Sequence, residues 1–296
     1  VTTRPTGSTV PRRQLGRHLR ELRMKARLTV RAAARRLEWS EPKLWRIETG
    51  QTSLRSLDAQ AMCMIYGASP EMTEALMGLA KETKARGWWH AYGDVIPEHF
   101  DVYIGLEEAA ARIDLYHGDV VPGLLQTEEY AREIIRTHVR DVDDDDLDRR
   151  VELRLERQVL LNRVTYPPSL RIALGESVLR RPVGGHGAMS RQLAHLIYVS
   201  ELPNLEIRVV PFTAAAHPGL VTGPFNVLRF PLNGDGAETE PPTVYADGYT
   251  GSLYLDKPTE VQKYDDAFAE IWRASLDEQA SRRLMADVAG SYEQQD

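Results

Sequence analysis

The sequence predicts a multidomain chain: an all-α domain of five short helices, then an α+β domain with a small, mainly antiparallel sheet and long helices. Three observations carry this. Residues 11–86 repeat helix-period apolar stripes between caps and glycine stops, with no strand candidate. Five short runs rich in β-branched and aromatic residues fall between 170 and 255. Charge also divides with the pattern. Residues 1–70 carry 14 Lys+Arg against 5 Asp+Glu, leaving 23 against 38 in the remainder. The net charge of −6 therefore conceals a basic module, suited to a polyanion, joined to an acidic one.

Residues 1–10, rich in Thr, Ser, Pro and Gly, read as a disordered lead-in. The first domain spans 11–86. Leu15, Leu19, Leu22 and Ala26 make the stripe of its first helix. Thr29 caps a helix over 30–37, and Ser40 caps one that ends near Thr49 and stops at Gly50. Pro42 falls in that helix's first turn, where its missing N–H costs nothing. Helices over 56–66 and 70–86 end at Gly67 and Gly87. Residues 87–100 form a linker, though Trp88, Trp89, Tyr92 and Phe100 make it too aromatic for a loose tether.

The second domain spans 101–296. Helices are predicted over 104–116 and 127–138, on either side of Val121-Pro122-Gly123. Asp143 to Asp146 begin a long helix reaching about 164, placing their charge at its positive end. Strands are predicted at 170–174, 205–210, 225–230, 243–246 and 252–255, the last two as a hairpin, with a helix over 188–200 between the first two. Pro258 opens a last long helix with Val261, Tyr264, Phe268 and Ile271 on one face.

Several function classes are set aside. No apolar run approaches the ~18–20 residues of a membrane span, and the start lacks a signal-peptide core, so a cytoplasmic protein is expected with no membrane partner. The single Cys63 excludes an internal disulfide framework. The eight histidines show no metal-ligand spacing, and no nucleophile elbow, phosphate loop or dinucleotide fingerprint is present. Gly184-Gly185-His186-Gly187 reads as a turn. The expectation is no catalytic residue, no metal and no cofactor.

The helices at 30–37 and 41–48, joined by a tight connection, match a helix-turn-helix. On the second, Leu44 and Ile47 share an inward face while Lys43 and Arg46 share an outward one, as a major-groove reader requires. Arg31, Glu41, Lys43 and Arg46 are candidates for base edges or phosphates, Ser40, Thr52 and Arg55 for positioning the backbone, and Trp45 for packing on sugar-phosphate or covering the turn. From Arg23 to Ala68, including LTVRAAARRLEWSEPKLWRIETG, the chain resembles the Xre/lambda-repressor-like helix-turn-helix family. The resemblance implies a transcriptional regulator that binds double-stranded DNA. It also implies a structural ion pair between Glu48 and Arg23, and makes Arg31 the substitute for a glutamine usual in the family, since Val30 stands at that position here.

From Trp88 onward the chain resembles the C-terminal domain of the actinobacterial Scr1-family antitoxin-like regulators, through YIGLEEAAARIDLYHGDVVPGLLQTEEYAREIIR, SRQLAHL, IRVVPF and GPFNVLRF. That resemblance implies a regulator often paired with a small partner protein. Trp88, Trp89, Tyr92, Phe100, Tyr103 and Tyr116 fall within 29 residues and are candidates for a small-molecule effector cleft or for an interdomain core. A homodimer is expected, because one short helix reads too few base pairs alone. The alternative is an antitoxin-like protein that holds a small partner and binds DNA for autoregulation.

Overall fold

The computed structural model describes residues 9–84, 87–97, 100–139, 141–232, 234, 236–249 and 251–294. The lead-in up to residue 8, the end of the fifth predicted helix at 85–86, linker residues 98–99 and Thr250 of the hairpin lie outside these. The chain divides into two compact units. One runs to Ala91 and includes Asp101–Ala109; the other takes Tyr92–Phe100 and everything from Ala110. Residues 101–109, which the sequence reading assigns to the second domain, thus group with the first.

The first unit holds α1 (Thr9–Lys25), α2 (Val30–Arg36), α3 (Glu41–Glu48), α4 (Ser56–Tyr66), α5 (Pro70–Glu82), all but the last residue of a 3-10 turn at Trp88–Tyr92 and most of α6 (Phe100–Ala109). Leu15, Leu19, Ala33, Leu44, Ile47, Met62 and Leu76 make its core, all at most 3% exposed. Burying each leucine-sized side chain contributes ~1.5–3 kcal/mol. Thr29, Ser40 and Ser69 cap α2, α3 and α5 through their hydroxyls, and Gly67 closes α4 at φ 72°. The Thr83 hydroxyl, fully buried, accepts from Leu54 N at 3.2 Å and donates to Ala80 O at 2.7 Å, tying the end of α5 to the loop before α4. At Gly16 the backbones of α1 and α3 touch: a Cβ there would lie 2.6 Å from Ile47 O and 2.8 Å from Glu48 O.

The second unit holds β1 (Arg112–His117), α7 (Glu128–His138), α8 (Asp144–Arg157), β2 (Ser169–Gly175), α9 (Glu176–Arg180), α10 (His186–Val199), β3 (Leu205–Val210), α11 (Gly219–Thr222), β4 (Phe225–Arg229), β5 (Thr243–Gly248), β6 (Gly251–Leu255), α12 (Pro258–Ala274) and α13 (Glu278–Glu293). Among the described residues one six-stranded sheet runs in the order β3-β2-β1-β4-β5-β6. Parallel pairing joins β1 to β2 and β2 to β3; antiparallel pairing joins β1 to β4, β4 to β5 and β5 to β6. The sheet is therefore mixed, and larger than the small antiparallel one expected. Phe268 and Ile271 of α12 cover one face, packed with Phe225, Val227 and Val244.

Two predicted elements change. The helix expected over 104–116 ends at Ala109, and Arg112–His117 becomes the strand β1. The helix expected to reach 164 stops at Arg157 and tightens into a 3-10 turn over Gln158–Asn162. The helix that Pro258 opens is α12, and an unpredicted helix follows it: Asp277 caps α13 by accepting from Ala280 N at 2.7 Å.

Beneath α12 lies a buried carboxylate. Asp114, 2% exposed, accepts from Arg171 Nε at 2.7 Å and Nη2 at 2.8 Å across the β1–β2 pair, and from Arg112 Nη2 at 2.6 Å. The Arg171 guanidinium lies against the stacked rings of Phe268 and Trp272, 5.0 and 5.4 Å from their centres. The Asp114 hydrogen bonds hold its pKa above the ordinary arginine value.

Candidate nucleic-acid interface

The α2–α3 pair is built from its caps. Thr29 Oγ1 accepts from Ala32 N at 3.1 Å and Ser40 Oγ from Lys43 N at 3.3 Å, so each short helix starts on a satisfied donor. Between them Glu38 turns the chain at φ 56°. Trp39, just before the cap, and Leu44, at the fourth helical position, both join the bundle core, which is the arrangement of a hydrophobic staple.

The faces of α3 divide cleanly. Leu44, Ile47 and Glu48 are buried, while Glu41, Trp45 and Arg46 are exposed and Lys43 is half-buried. Trp45 is 53% exposed. Glu48 pairs with Arg23 of α1, as the resemblance implies: Nε donates to Oε1 at 2.6 Å and Nη2 to Oε2 at 2.8 Å. Arg23 Nη1 also donates to Leu28 O at 2.8 Å. The Glu48 hydrogen bonds raise the Arg23 pKa, and the Tyr66 hydroxyl is pushed above its usual range by burial and then by the Glu48 charge. Glu48 is thus a structural anion that faces away from the exposed side of α3.

Among the other candidates, Arg31 and Glu41 are exposed and pair with each other at 3.3 Å, an exchangeable surface contact of ~0–1 kcal/mol. Ser40 acts as the α3 cap. Thr52 is half-buried, and Arg55 is exposed at the start of α4. Sequence reasoning overlooked Trp39. The Lys43 ammonium lies 3.7 Å from the centre of its ring, a cation–π contact whose signal was an aromatic four residues before a lysine.

The six candidate aromatics divide between the units. Trp88, Trp89 and Tyr103 belong to the first; Tyr92, Phe100 and Tyr116 belong to the second. Trp89 and Tyr103 are core residues at 1% and 3% exposure. Trp88 meets Trp89 edge-on at 6.0 Å, and its Nε1 donates to Glu108 at 3.4 Å. Tyr92 lies under the Arg149 guanidinium and Phe100 under that of Arg157. Tyr116 sits on β1 beside Phe225.

A capped pair of short helices, the second with a buried apolar face and an exposed face carrying Trp45 and Arg46, defines a helix-turn-helix protein. Residues 14–76 match the family model described as a helix-turn-helix domain. Residues 100–287, more than half of the chain, match the one described as Domain of unknown function (DUF5753), and the protein belongs to that family. No curated protein and no solved structure matches it. Among the described residues no helix is long and apolar enough to cross a membrane.

Proposed function

We propose that this protein is a sequence-specific, DNA-binding transcriptional regulator of the Xre type. It acts as a homodimer on cytoplasmic DNA, and its second domain senses a ligand or partner without catalysing a reaction. The observation that carries the reading is the division of α3: Leu44 and Ile47 are at most 3% exposed, while Trp45 and Arg46 stand in solvent. Arg46 and Lys43 bring the donors that guanine N7/O6 and phosphates accept. The surplus of 14 basic over 5 acidic residues in 1–70 supports the same reading through its long-range attraction for a polyanion. Dimerisation follows from reach, since affinities of ~10⁻⁸–10⁻¹¹ M usually need two half-sites.

A second reading, an antitoxin-like protein that holds a small partner, is favoured by the 38 acidic against 23 basic residues of the remainder, which would suit a basic partner. Recovery of a stoichiometric small protein with the chain from its native host would select this reading.

The test is fluorescence anisotropy on a duplex from the gene's own upstream region, at two salt concentrations. Wild type should bind tightly and with salt sensitivity. Arg46→Ala should lower affinity by ~1–3 kcal/mol, and Lys43→Ala/Arg46→Ala should abolish specificity. Unchanged operator binding in the double variant would overturn the assignment of α3.

A further inference from the structure

The second unit contains a crevice that DNA recognition does not use. It opens where three parallel strands finish, at Gly118 after β1, Gly175 at the end of β2 and Val210 at the end of β3. Ligands of open sheets lodge outside the carboxyl ends of parallel strands, most often where strand order changes sense. Here the strand order reverses at β1, which has β2 on one edge and β4 on the other.

One wall is the Tyr116 ring, 5% exposed, held between Phe225 and His217 at 6.0 and 6.2 Å. Gly219 presses on it so closely that an added Cβ would lie 2.4 Å from the ring. Among the described residues the Tyr116 hydroxyl makes no hydrogen bond and is not sealed from solvent, so it is open to a ligand's polar atom. His217 Nδ1 also lacks a partner but is buried, closed to the crevice.

The crevice offers no net charge. Glu176 is neutralised, accepting from Arg180 Nε at 2.6 Å and Phe212 N at 2.8 Å. The Ser177 hydroxyl donates to Gly118 O. Phe212 and Leu220, 65% and 69% exposed, supply an apolar rim. The volume, ≈ 170 Å³, is well below the ~300–1,000 Å³ of drug-sized sites, which favours a single small ring over a nucleotide or peptide.

We propose that this crevice binds an uncharged, ring-containing small molecule whose one polar group meets the Tyr116 hydroxyl. The inference gives the sensing domain its ligand class, and rests on the sensing half of the function proposed above.

The test uses the full chain without DNA. Saturation-transfer NMR and calorimetric titration with phenol and indole, with benzoate as the charged comparator, should detect both neutral probes and reject benzoate. Tyr116→Phe should weaken phenol about three- to tenfold, the loss of one net hydrogen bond. Ala215→Trp, on the solvent-exposed part of the lining, should abolish binding; unchanged melting temperatures identify both variants as folded. Absence of binding by phenol and indole at millimolar concentration overturns the proposal. So does benzoate binding as tightly as phenol, or phenol affinity unchanged in both variants. Loss of the probes with operator binding intact removes the crevice alone, whereas probe binding without operator binding removes the α3 assignment alone.

Discussion

Two arginine–carboxylate pairs with a buried anion, one from each unit, differ in what surrounds the arginine. Arg23 and Glu48 are both enclosed, with side chains 9% and 5% exposed. Asp114 is as deeply buried at 3%, yet its partners Arg171 and Arg112 keep 32% and 41% of their side chains in solvent. The first pair closes a helical bundle between residues 25 apart in sequence. The second is a cross-strand rung shared by two cations. Burial of the anion alone therefore does not decide what a pair contributes; the escape route of the cation left behind does.

Glu48→Ala gives the largest expected effect. It strands the Arg23 guanidinium without a route to water and should destabilise the first unit by ~3–5 kcal/mol in denaturant unfolding. Asp114→Ala should cost less, ~1.5–3 kcal/mol, because Arg171 and Arg112 can turn outward. A larger loss for Asp114 than for Glu48 would break the comparison. Ser40→Ala removes the α3 cap and should cost ~1 kcal/mol. The smallest effect at neutral pH belongs to His117. Burial lowers its pKa from 6.5 to about 4, against the opposing hydrogen bond to Asn226 at 3.1 Å. Between those values the unfolded chain takes up a proton that the folded one refuses, so stability falls as pH drops from 6.5 to about 4 and levels off below. His117→Gln should flatten that slope in unfolding midpoints measured across pH, with nothing changed above 6.5.

The same contrast explains what the sequence made legible. The bundle declares itself locally: Thr29, Ser40 and Gly67 mark helix ends, and the Leu44/Ile47 spacing shows which side of α3 faces inward. The sheet does not. β1 runs as Ile113-Asp114-Leu115-Tyr116, all at most 5% exposed, so it lacks the alternation that betrays a half-buried strand. The preceding run Glu107–Ala111 has strong helix preference, which drew the predicted helix across it. The other five strands were readable because turn residues and β-branched runs bound them. With β1 misassigned, the parallel pairing and the Asp114 rung were hidden. The crevice was hidden too, because its walls come from three segments that only the β1–β2–β3 pairing brings together. The helix α13 was readable from its cap at Asp277 and was overlooked.

Gly16 carries a consequence for heredity as much as for packing. The eight residues of α3 make a lever about 12 Å long, with the carbonyls of Ile47 and Glu48 at one end and Lys43 near the other. A displacement of about 1 Å at the Gly16 end would swing the whole lever by about 5°. Solvent-facing positions of α1 can drift through many residues while the aim of α3 persists. At position 16 the alphabet has a single letter, and the angle presented to a groove is inherited as the lack of one methyl group.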